Sequence, residues 1–316
     1  MAQYVLRRAL LLVPTLFGIS ILTFGLIRLI PGDLVTVLLG ITASQSELNR
    51  QAIIAALHLD RPLTMQYLLW ARGVLAGDFG RSLVTGLSVK GELLRSFPVT
   101  AELTIMAMGV ALVMGIPLGV VSAVRTGKAI DVLARAGALV FISAPAFFLG
   151  TLLILAGSRY APWYPMLQYV AMTEDPARNL LSILPAAGAL GAAISAILMR
   201  FTRSSLLEVL RQEYVRTARA KGVGERWVVF RHALRNAVIP VLAIAGTQFV
   251  YLIGGAVVIE DVFALPGMGR LVVNAIFQRD YTMVQGAVLV LTVAAVLATL
   301  LLDLAYSAID PRIAYG

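Results

Sequence analysis

The sequence contains no cysteine and only two histidines, His58 and His232. Disulfides, cysteine zinc sites and thiol catalysis are therefore excluded. The two histidines lack ligand-spaced partners, so we expect no metal site. Charged residues are also scarce, at 14% of 316 residues against 59% hydrophobic ones, and the mean hydropathy is +0.87. Because soluble domains are about a quarter charged, this composition favours a membrane protein.

Six apolar runs have about the 20 residues that a transmembrane helix needs. They cover residues 9–30, 99–121, 136–156, 180–199, 238–259 and 283–305. The pattern predicts an all-α membrane protein with six transmembrane helices. The first run is longer than the core of a signal peptide, and Pro31-Gly32-Asp33 is not a small-residue cleavage site, so we interpret it as a retained helix.

The basic residues predict how the chain crosses the membrane, since short loops rich in Lys and Arg stay in the cytoplasm. If residues 1–8 and 306–316 lie inside, the cytoplasmic segments hold Arg7, Arg8, Arg125, Lys128, Arg135, the nine basic residues of 200–237, and Arg312. The two short outer loops hold only Arg159, Arg178, Arg270 and Arg279. We therefore expect both termini to be cytoplasmic.

Residues 31–98 form a long outer segment that we expect to be structured. Ser44 and Glu47 have the spacing of a capping box. One helical face collects Leu63, Tyr67, Trp70 and Val74. We expect two short helices here, which serve either as a packing lid or as a docking surface.

Small residues within the spans predict close helix packing. Gly115 and Gly119 have the small-xxx-small spacing, and residues 186–193 are almost all Ala and Gly. Such residues let helix backbones approach closely. Packing is the main expectation, and a direct substrate role is the alternative.

The stretch 200–237 carries most of the excess positive charge. It has nine basic and three acidic residues, a net charge of +6. Residues 201–221 lack Gly and Pro and favour a helix, and Gly222 and Gly224 then punctuate the chain. The pattern predicts a helix–turn–helix that projects into the cytoplasm. Its basic residues would face either an acidic partner or lipid headgroups.

Several long motifs of the chain resemble one family of transporters. EYVRTARAKG (213–222) and HALRNAVIP (232–240) look like the coupling loop of binding-protein-dependent ABC permeases. Arg216 and Thr217 depart from the Glu-Ala of the general pattern, and the loop instead resembles the first-permease type of the dipeptide, oligopeptide, glutathione and nickel importers. Further similar stretches are PGD (31–33), LDRPLTMQYLLW (59–70), GDFGRS (77–82), GGAVVIEDVFALPGMGRL (254–271), RDY (279–281) and LLDLAYSAIDPRI (301–313).

The resemblance implies a type I ABC importer permease of the bacterial inner membrane, which forms half of a translocation path for di- or oligopeptides. The implied partners are a second homologous permease, two cytoplasmic ATP-binding subunits, an extracytoplasmic substrate-binding protein and membrane lipid, but no nucleic acid. Permeases for glutathione or nickel chelates are the alternatives within this type. A secondary transporter driven by an ion gradient is the alternative from another class.

We expect the chain itself to be neither an enzyme nor the holder of a cofactor. It lacks the Gly-x-x-x-x-Gly-Lys-Ser/Thr signature of ATPases, since Ser122 stands where the first Gly before Gly127-Lys128 is required. The resemblance implies that ATP and Mg are bound by the partner subunits, which also hydrolyse the ATP.

Two sets of candidate site residues follow. The resemblance implies that a short helix around Thr217–Gly224 docks on an ATPase subunit. Ala218 and Ala220 have little side-chain bulk, so we expect that another protein can approach closely there. The coupling residues are Tyr214, Arg216, Thr217, Ala218, Arg219, Ala220, Lys221, Gly222 and Gly224. Polar residues within spans suggest a substrate path, and the candidates are Gln248, Tyr251, Glu260, Asp261 and Glu102. Alternatively, Glu260 and Asp261 are interfacial acids satisfied by Arg270 or Arg279.

Overall fold

The computed structural model describes residues 2–28, 51, 54, 58–82, 84–160 and 168–309, without the side chains of 2–9, 26–28 and 306–309. In chain order the helices are α1 (Ala2–Arg28), α2 (Leu63–Leu75), α3 (Val89–Val124), α4 (Ala129–Ser143), α5 (Ala146–Tyr160), α6 (Pro176–Val209), α7 (Glu213–Ala220), α8 (Glu225–Trp227), a π-helical segment (Val228–Ala233), α9 (Leu234–Val262), α10 (Met268–Phe277) and α11 (Tyr281–Ile309). Among these residues there is no β-strand, so the prediction of an all-α fold is confirmed.

Several of these helices are long and apolar enough to cross a membrane. Within the described residues they are α3, α6, the continuous helix Glu225–Val262 and α11, and they number five if the bent pair α4–α5 is one span. The predicted first span falls on α1, of which the described apolar part, Leu10–Gly25, is shorter than a span. The multi-span membrane architecture is confirmed.

The third apolar run differs from the expected single span. It is divided between α4 and α5, which are bent by 103° relative to each other. Pro145 starts the second helix, and Ala144 before it has an extended backbone with ψ of 125°. A proline has no N–H for the helix ladder and disfavours helical geometry in the preceding residue. Hydropathy is uniform along residues 136–156, so it did not reveal the break in the helix at Ala144 and Pro145.

The other long helices extend beyond the apolar runs that predicted them. α6 begins at Pro176, where the Asp175 side chain accepts hydrogen bonds from the N–H groups of Ala177 and Arg178, each at 3.1 Å. An N-cap aspartate followed by proline is a strong helix start. Hydropathy marks the part of a helix at membrane depth, whereas caps mark its ends.

One compact unit comprises Met1–Val99 and Pro266–Leu300. Its α2 is the predicted helix with Tyr67 and Trp70 on one face. The Tyr67 ring contacts Phe24 edge-on at 5.4 Å, and its hydroxyl lies 2.7 Å from the Ser20 hydroxyl of α1. This half of the outer segment therefore packs on a helix, as a lid would. The other expected helix, near Ser44 and Glu47, lies outside the described residues.

The second compact unit comprises Thr100–Leu265 and Leu301–Gly316. Here α3 and α6 cross closely. A Cβ atom added to Gly191 of α6 would lie 2.5 Å from the carbonyl oxygen of Ala107, and one added to Gly115 of α3 would lie 2.6 Å from that of Ser195. A Cβ atom added to Gly119 of α3 would lie 2.6 Å from the Cβ atom of Thr202. The close approach predicted from the small residues is confirmed, and packing explains these glycines.

Candidate functional site

The candidate coupling site is a bend in the chain that we call the elbow, comprising α7, the turn 221–224, α8 and the π-helical segment. α7 ends in a Schellman motif: the N–H of Val223 donates to the Ala218 carbonyl at 3.2 Å, and the N–H of Gly222 donates to the Arg219 carbonyl at 2.9 Å. Gly222 has a φ of +78°. This left-handed geometry explains why glycine ends the helix. The short helix therefore lies at Glu213–Ala220 rather than around Thr217–Gly224.

The elbow has its own apolar core. Val215 and Ala218 of α7 are buried against Val228 of the π-helical segment, with Val209, Leu210 and Val223 packed around them. Ala218 thus points into the elbow, and its small size serves internal packing instead of the approach of a partner. Ala220, by contrast, is exposed on α7, as are Glu213, Arg216 and Thr217. The outward face therefore has small side chains at Thr217 and Ala220.

A two-point ion pair closes the elbow across its turn. The Arg219 guanidinium donates to Glu225 through Nη2 at 2.7 Å and through Nε at 3.1 Å, and its Nη1 donates to the Leu210 carbonyl at 3.3 Å. The hydrogen bonds between the two side chains raise the pKa of Arg219 and lower the pKa of Glu225. Both side chains are about half exposed, so the pair contributes more to geometry than to stability.

The remaining predicted coupling residues lie on the surface of the elbow. The Tyr214 hydroxyl accepts a hydrogen bond from the Asn236 amide at 2.8 Å, which joins α7 to the start of α9. Arg216 pairs with Glu213 within α7 at 2.9 Å. Lys221 and Gly224 are exposed at the turn. The structure therefore collects all nine predicted residues in one short region, with Ala218 alone facing inward.

The elbow is packed onto the long helices rather than hung from them. Val229 and Ala233 of the π-helical segment are buried with Val120 of α3 and Leu206 of α6. The Ser205 hydroxyl of α6 donates to the Ala237 carbonyl of α9 at 2.9 Å. The helix continues without interruption from Glu225 to Val262. The elbow is thus in direct contact with α3 and α6 and continuous with α9.

Sequence reasoning missed a buried ionic centre close to the elbow. Asp131, in the first turn of α4 and before the apolar run, is 1% exposed. It accepts hydrogen bonds from the Arg203 guanidinium at 2.8 and 3.1 Å, from Ser122 at 2.6 Å and from the N–H of Gly127 at 3.0 Å. The centre ties α3, α4 and α6 together.

The predicted path residues do not form one cluster. Tyr251 of α9 is 70% exposed and Gln248, one turn earlier, is half-buried. Glu260 is buried and accepts a hydrogen bond from Thr100 at 2.6 Å, whereas Asp261 beside it is exposed. Adjacent residues of a helix point about 100° apart, and only Glu260 faces the packed interior.

Glu102 of α3 has an incomplete set of partners. Its Oε2 accepts a hydrogen bond from the Tyr169 hydroxyl at 2.7 Å, while its Oε1 is buried without a hydrogen bond to any described residue. Tyr169 lies in the loop before α6, outside the spans. Burial and this hydrogen bond raise the pKa of Tyr169, so that its hydroxyl stays protonated as a donor. A buried acceptor without a donor is costly unless a ligand or water supplies one.

The chain is similar to known membrane components of transport systems along its whole length. Residues 115–315 match the family described as the binding-protein-dependent transport system inner membrane component, and residues 1–104 match the N-terminal family of the same membrane components. The glutathione transport system permease proteins GsiC of Escherichia coli (strain K12) and Shigella boydii serotype 4 (strain Sb227) are each 41% identical over 317 residues, with 100% of both chains covered.

Among solved structures, an amino acid ABC transporter with histidines is similar, with a TM-score of 0.49 and 15% identity, over 70% of this chain and 94% of that one.

Proposed function

Because the chain belongs to the family of binding-protein-dependent inner-membrane transport components and is the permease subunit of an ABC importer, we propose that it carries short peptides, glutathione among them, and that the elbow couples it to a separate ATPase subunit. Membership of this family excludes the alternative hypothesis of an ion-driven secondary transporter. Support for the substrate comes from the 41% identity to glutathione permeases along the whole chain. The wider peptide class remains part of the proposal.

The observation that carries the coupling proposal is the construction of the elbow. Its inward face is a closed apolar core around Val215, and its outward face carries Thr217 and Ala220, which leave room for a partner backbone. A helix whose inner face is fixed by a packed core, and whose outer face carries small side chains, is suited to dock in a groove of another protein. The basic residues on its rim, Arg216 and Lys221, suit an acidic groove wall.

The proposed mechanism is mechanical. A second homologous permease completes the channel, two ATP-binding subunits bind ATP and Mg in the cytoplasm, and an extracytoplasmic binding protein delivers the peptide. Closure of the ATPase pair would move both elbows together. Since the elbow packs on α3, α6 and α9, the movement would reach the spans as a rigid-body switch between outward and inward access.

We place the peptide path along α9 and α3. Gln248 and Tyr251 would offer polar contacts along α9, and the buried Oε1 of Glu102 would accept a hydrogen bond from the peptide ammonium. Glu260 and Asp261 would act near the outer end of α9, where only Asp261 is exposed to an incoming substrate. Both termini would lie in the cytoplasm, as the basic residues predict.

The coupling proposal is tested by a charge placed on the outward face. Ala220→Glu should abolish peptide uptake and the stimulation of ATP hydrolysis by loaded binding protein in the reconstituted complex, since a bulky anion would occupy the docking surface. Ala129→Glu is the matched control, because Ala129 is also exposed on a cytoplasmic segment but lies outside the elbow. It should retain uptake.

Two further measurements make the result decisive. Membrane insertion of both variants should equal that of the unchanged chain, as judged by quantity in washed membranes. Copurification of the ATP-binding subunits should be lost with Ala220→Glu alone. If Ala220→Glu supports normal uptake, the elbow is not the docking surface.

A further inference from the structure

A cleft lies between α4 and α6, and none of its lining residues belongs to the elbow or to the proposed path. Its volume is about 630 Å³. Its lining residues are Arg135, Leu139, Ile142, Ile197, Arg200, Phe201, Arg203 and Ser204. Next to the cleft, Ala138 of α4 is buried with Ala196 and Met199 of α6, and Ala134 packs against them. The two helices therefore approach closely at their backbones and leave a groove between the larger side chains.

The polarity of the cleft changes from one end to the other. α4 and α6 run in opposite directions here, because Asp131 meets Arg203 while Ala138 meets Ala196 and Met199. The charged end holds Arg135, Arg200, Arg203 and Ser204, and the apolar end holds Ile142 and Ile197. From Arg135 to Ile142 a helix rises about 10 Å. This gradient matches a phospholipid, which has a charged head followed by apolar chains.

The charged end has more positive charge than its own carboxylate can balance. Both oxygens of Asp131 are engaged by Arg203, whose side chain is 21% exposed. Arg135 lies 3.4 Å from the same carboxylate and is 51% exposed. Arg200 is exposed and makes no ion pair with any residue that the structure describes. The cleft is thus lined by three guanidinium groups, two of which share the single carboxylate of Asp131, and this leaves a surplus of two positive charges.

We propose that this cleft binds an anionic phospholipid of the cytoplasmic leaflet, with Arg135 and Arg200 on the phosphate and one acyl chain along Leu139, Ile142 and Ile197. Planar guanidinium groups bind phosphate oxygens through paired hydrogen bonds. Basic pockets between membrane helices on the cytoplasmic side commonly hold anionic headgroups. A zwitterionic lipid fits less well, because its ammonium group would be repelled by the surplus charge.

The choice of leaflet rests on the proposed orientation, but binding itself does not. Leu139, between the two ends of the cleft, is 63% exposed, and Ile142 and Ile197 at the apolar end are each partly exposed, so a lipid chain can reach the apolar end. A soluble phosphate compound would use only the charged end of the cleft. The acyl chain is what gives the apolar end a function.

The test uses native mass spectrometry of the full chain, purified and delipidated in detergent. Dioleoyl phosphatidylglycerol should form a one-to-one adduct, and dioleoyl phosphatidylethanolamine should bind at least tenfold more weakly. The double variant Arg135→Gln/Arg200→Gln should weaken phosphatidylglycerol binding about 25-fold, at roughly fivefold for each arginine. Arg203 is left unchanged because it holds Asp131.

The matched control is Arg125→Gln/Lys128→Gln. It removes two exposed positive charges from the α3–α4 connection but none from the cleft, and it should bind phosphatidylglycerol as the unchanged chain does. Equal weakening in both double variants would mean unspecific attraction and would overturn the proposal. Equal binding of the two lipids would also overturn it, and so would full competition by glycerol phosphate at equimolar concentration.

A cross-linking experiment asks what occupies the cleft in the assembled transporter. A photoreactive benzoylphenylalanine at Leu139 should yield a lipid adduct of phosphatidylglycerol mass in membranes. Cross-linking to a second permease chain instead would overturn the proposal, since the cleft would then be a protein interface. Neither measurement depends on ATP or on transport, so their failure is distinct from failure of the coupling proposal.

Discussion

At the scale of single residues, the geometry of the elbow depends on Gly222. Its φ of +78° lies in the left-handed region, where a residue with a Cβ costs about 1–2 kcal/mol. Space is not the constraint, since a Cβ added there would meet no atom within 4 Å. Gly224 also has open space around it, but its φ is −61°. Both glycines therefore have room for a Cβ atom, but only Gly222 has a left-handed backbone.

Gly222→Ala should loosen the end of α7, whereas Gly224→Ala should not. Amide hydrogen exchange in the stretch 218–223 should become about 5–30-fold faster in Gly222→Ala, the factor that 1–2 kcal/mol produces. Gly222→Asn should lie between that variant and the unchanged chain, because asparagine tolerates the left-handed region. Equal exchange in the two alanine variants would show that the backbone of Gly222 is not what ends the helix.

Asp131 and Arg203 show where residue-level prediction fails. Arg203 was visible in the sequence only as one of nine basic residues, and Asp131 as an acid in a short loop. They are 72 residues apart, and nothing in the spacing of either predicts the other. Their pairing depends on the antiparallel crossing of α4 and α6, which only the packed structure supplies.

At the scale of helices, the crossing of α3 and α6 depends on small residues at particular positions. Gly188 and Gly191 lie one turn apart on α6, yet a Cβ at Gly188 would meet nothing within 4 Å, while one at Gly191 would lie 2.5 Å from the Ala107 carbonyl oxygen. A contact of this length with backbone cannot be relieved by a rotamer change. The helices would have to move apart.

Gly191→Ala should therefore destabilise the protein by about 1–3 kcal/mol, as overpacking of a tight core does. Gly188→Ala should be neutral or slightly stabilising, because alanine favours the helix and finds open space. Thermal unfolding of the purified protein, followed by size-exclusion chromatography after heating, compares the two variants. A similar loss in both would show that the crossing tolerates a wider separation.

Much of the helical architecture was accessible from sequence. Apolar runs located α3, α6, α9 and α11, and one-sided aromatic spacing located α2. Helix ends and bends were not accessible from hydropathy: the bend at Pro145 and the N-cap at Asp175 are local backbone effects within or beside an apolar run. Within the elbow, the glycines predicted the turn at 222–224, but the inward direction of Ala218 depends on a helix that starts at Glu213.

At the scale of the whole molecule, the orientation in the membrane decides what each surface can meet. The elbow can reach an ATPase only if residues 200–237 are cytoplasmic, and the cleft can bind lipid of the inner leaflet only if Arg135 and Arg200 are on the same side. The charged end of the cleft and the elbow both lie near the C-terminal end of α6, so they must be on the same side of the membrane. One measurement of orientation therefore bears on both.

The absence of cysteine makes that measurement clean, because every introduced cysteine is the only thiol in the chain. Lys128→Cys, in the α3–α4 connection, should react with a membrane-impermeant maleimide only after permeabilisation. Asp60→Cys and Glu174→Cys, both exposed, should react in intact spheroplasts, since the topology predicted from the basic residues assigns both positions to outer segments. The unchanged chain provides the zero-labelling control. Labelling of Lys128→Cys from outside would place the elbow away from ATP, and the coupling proposal would then fail whatever the elbow's local structure.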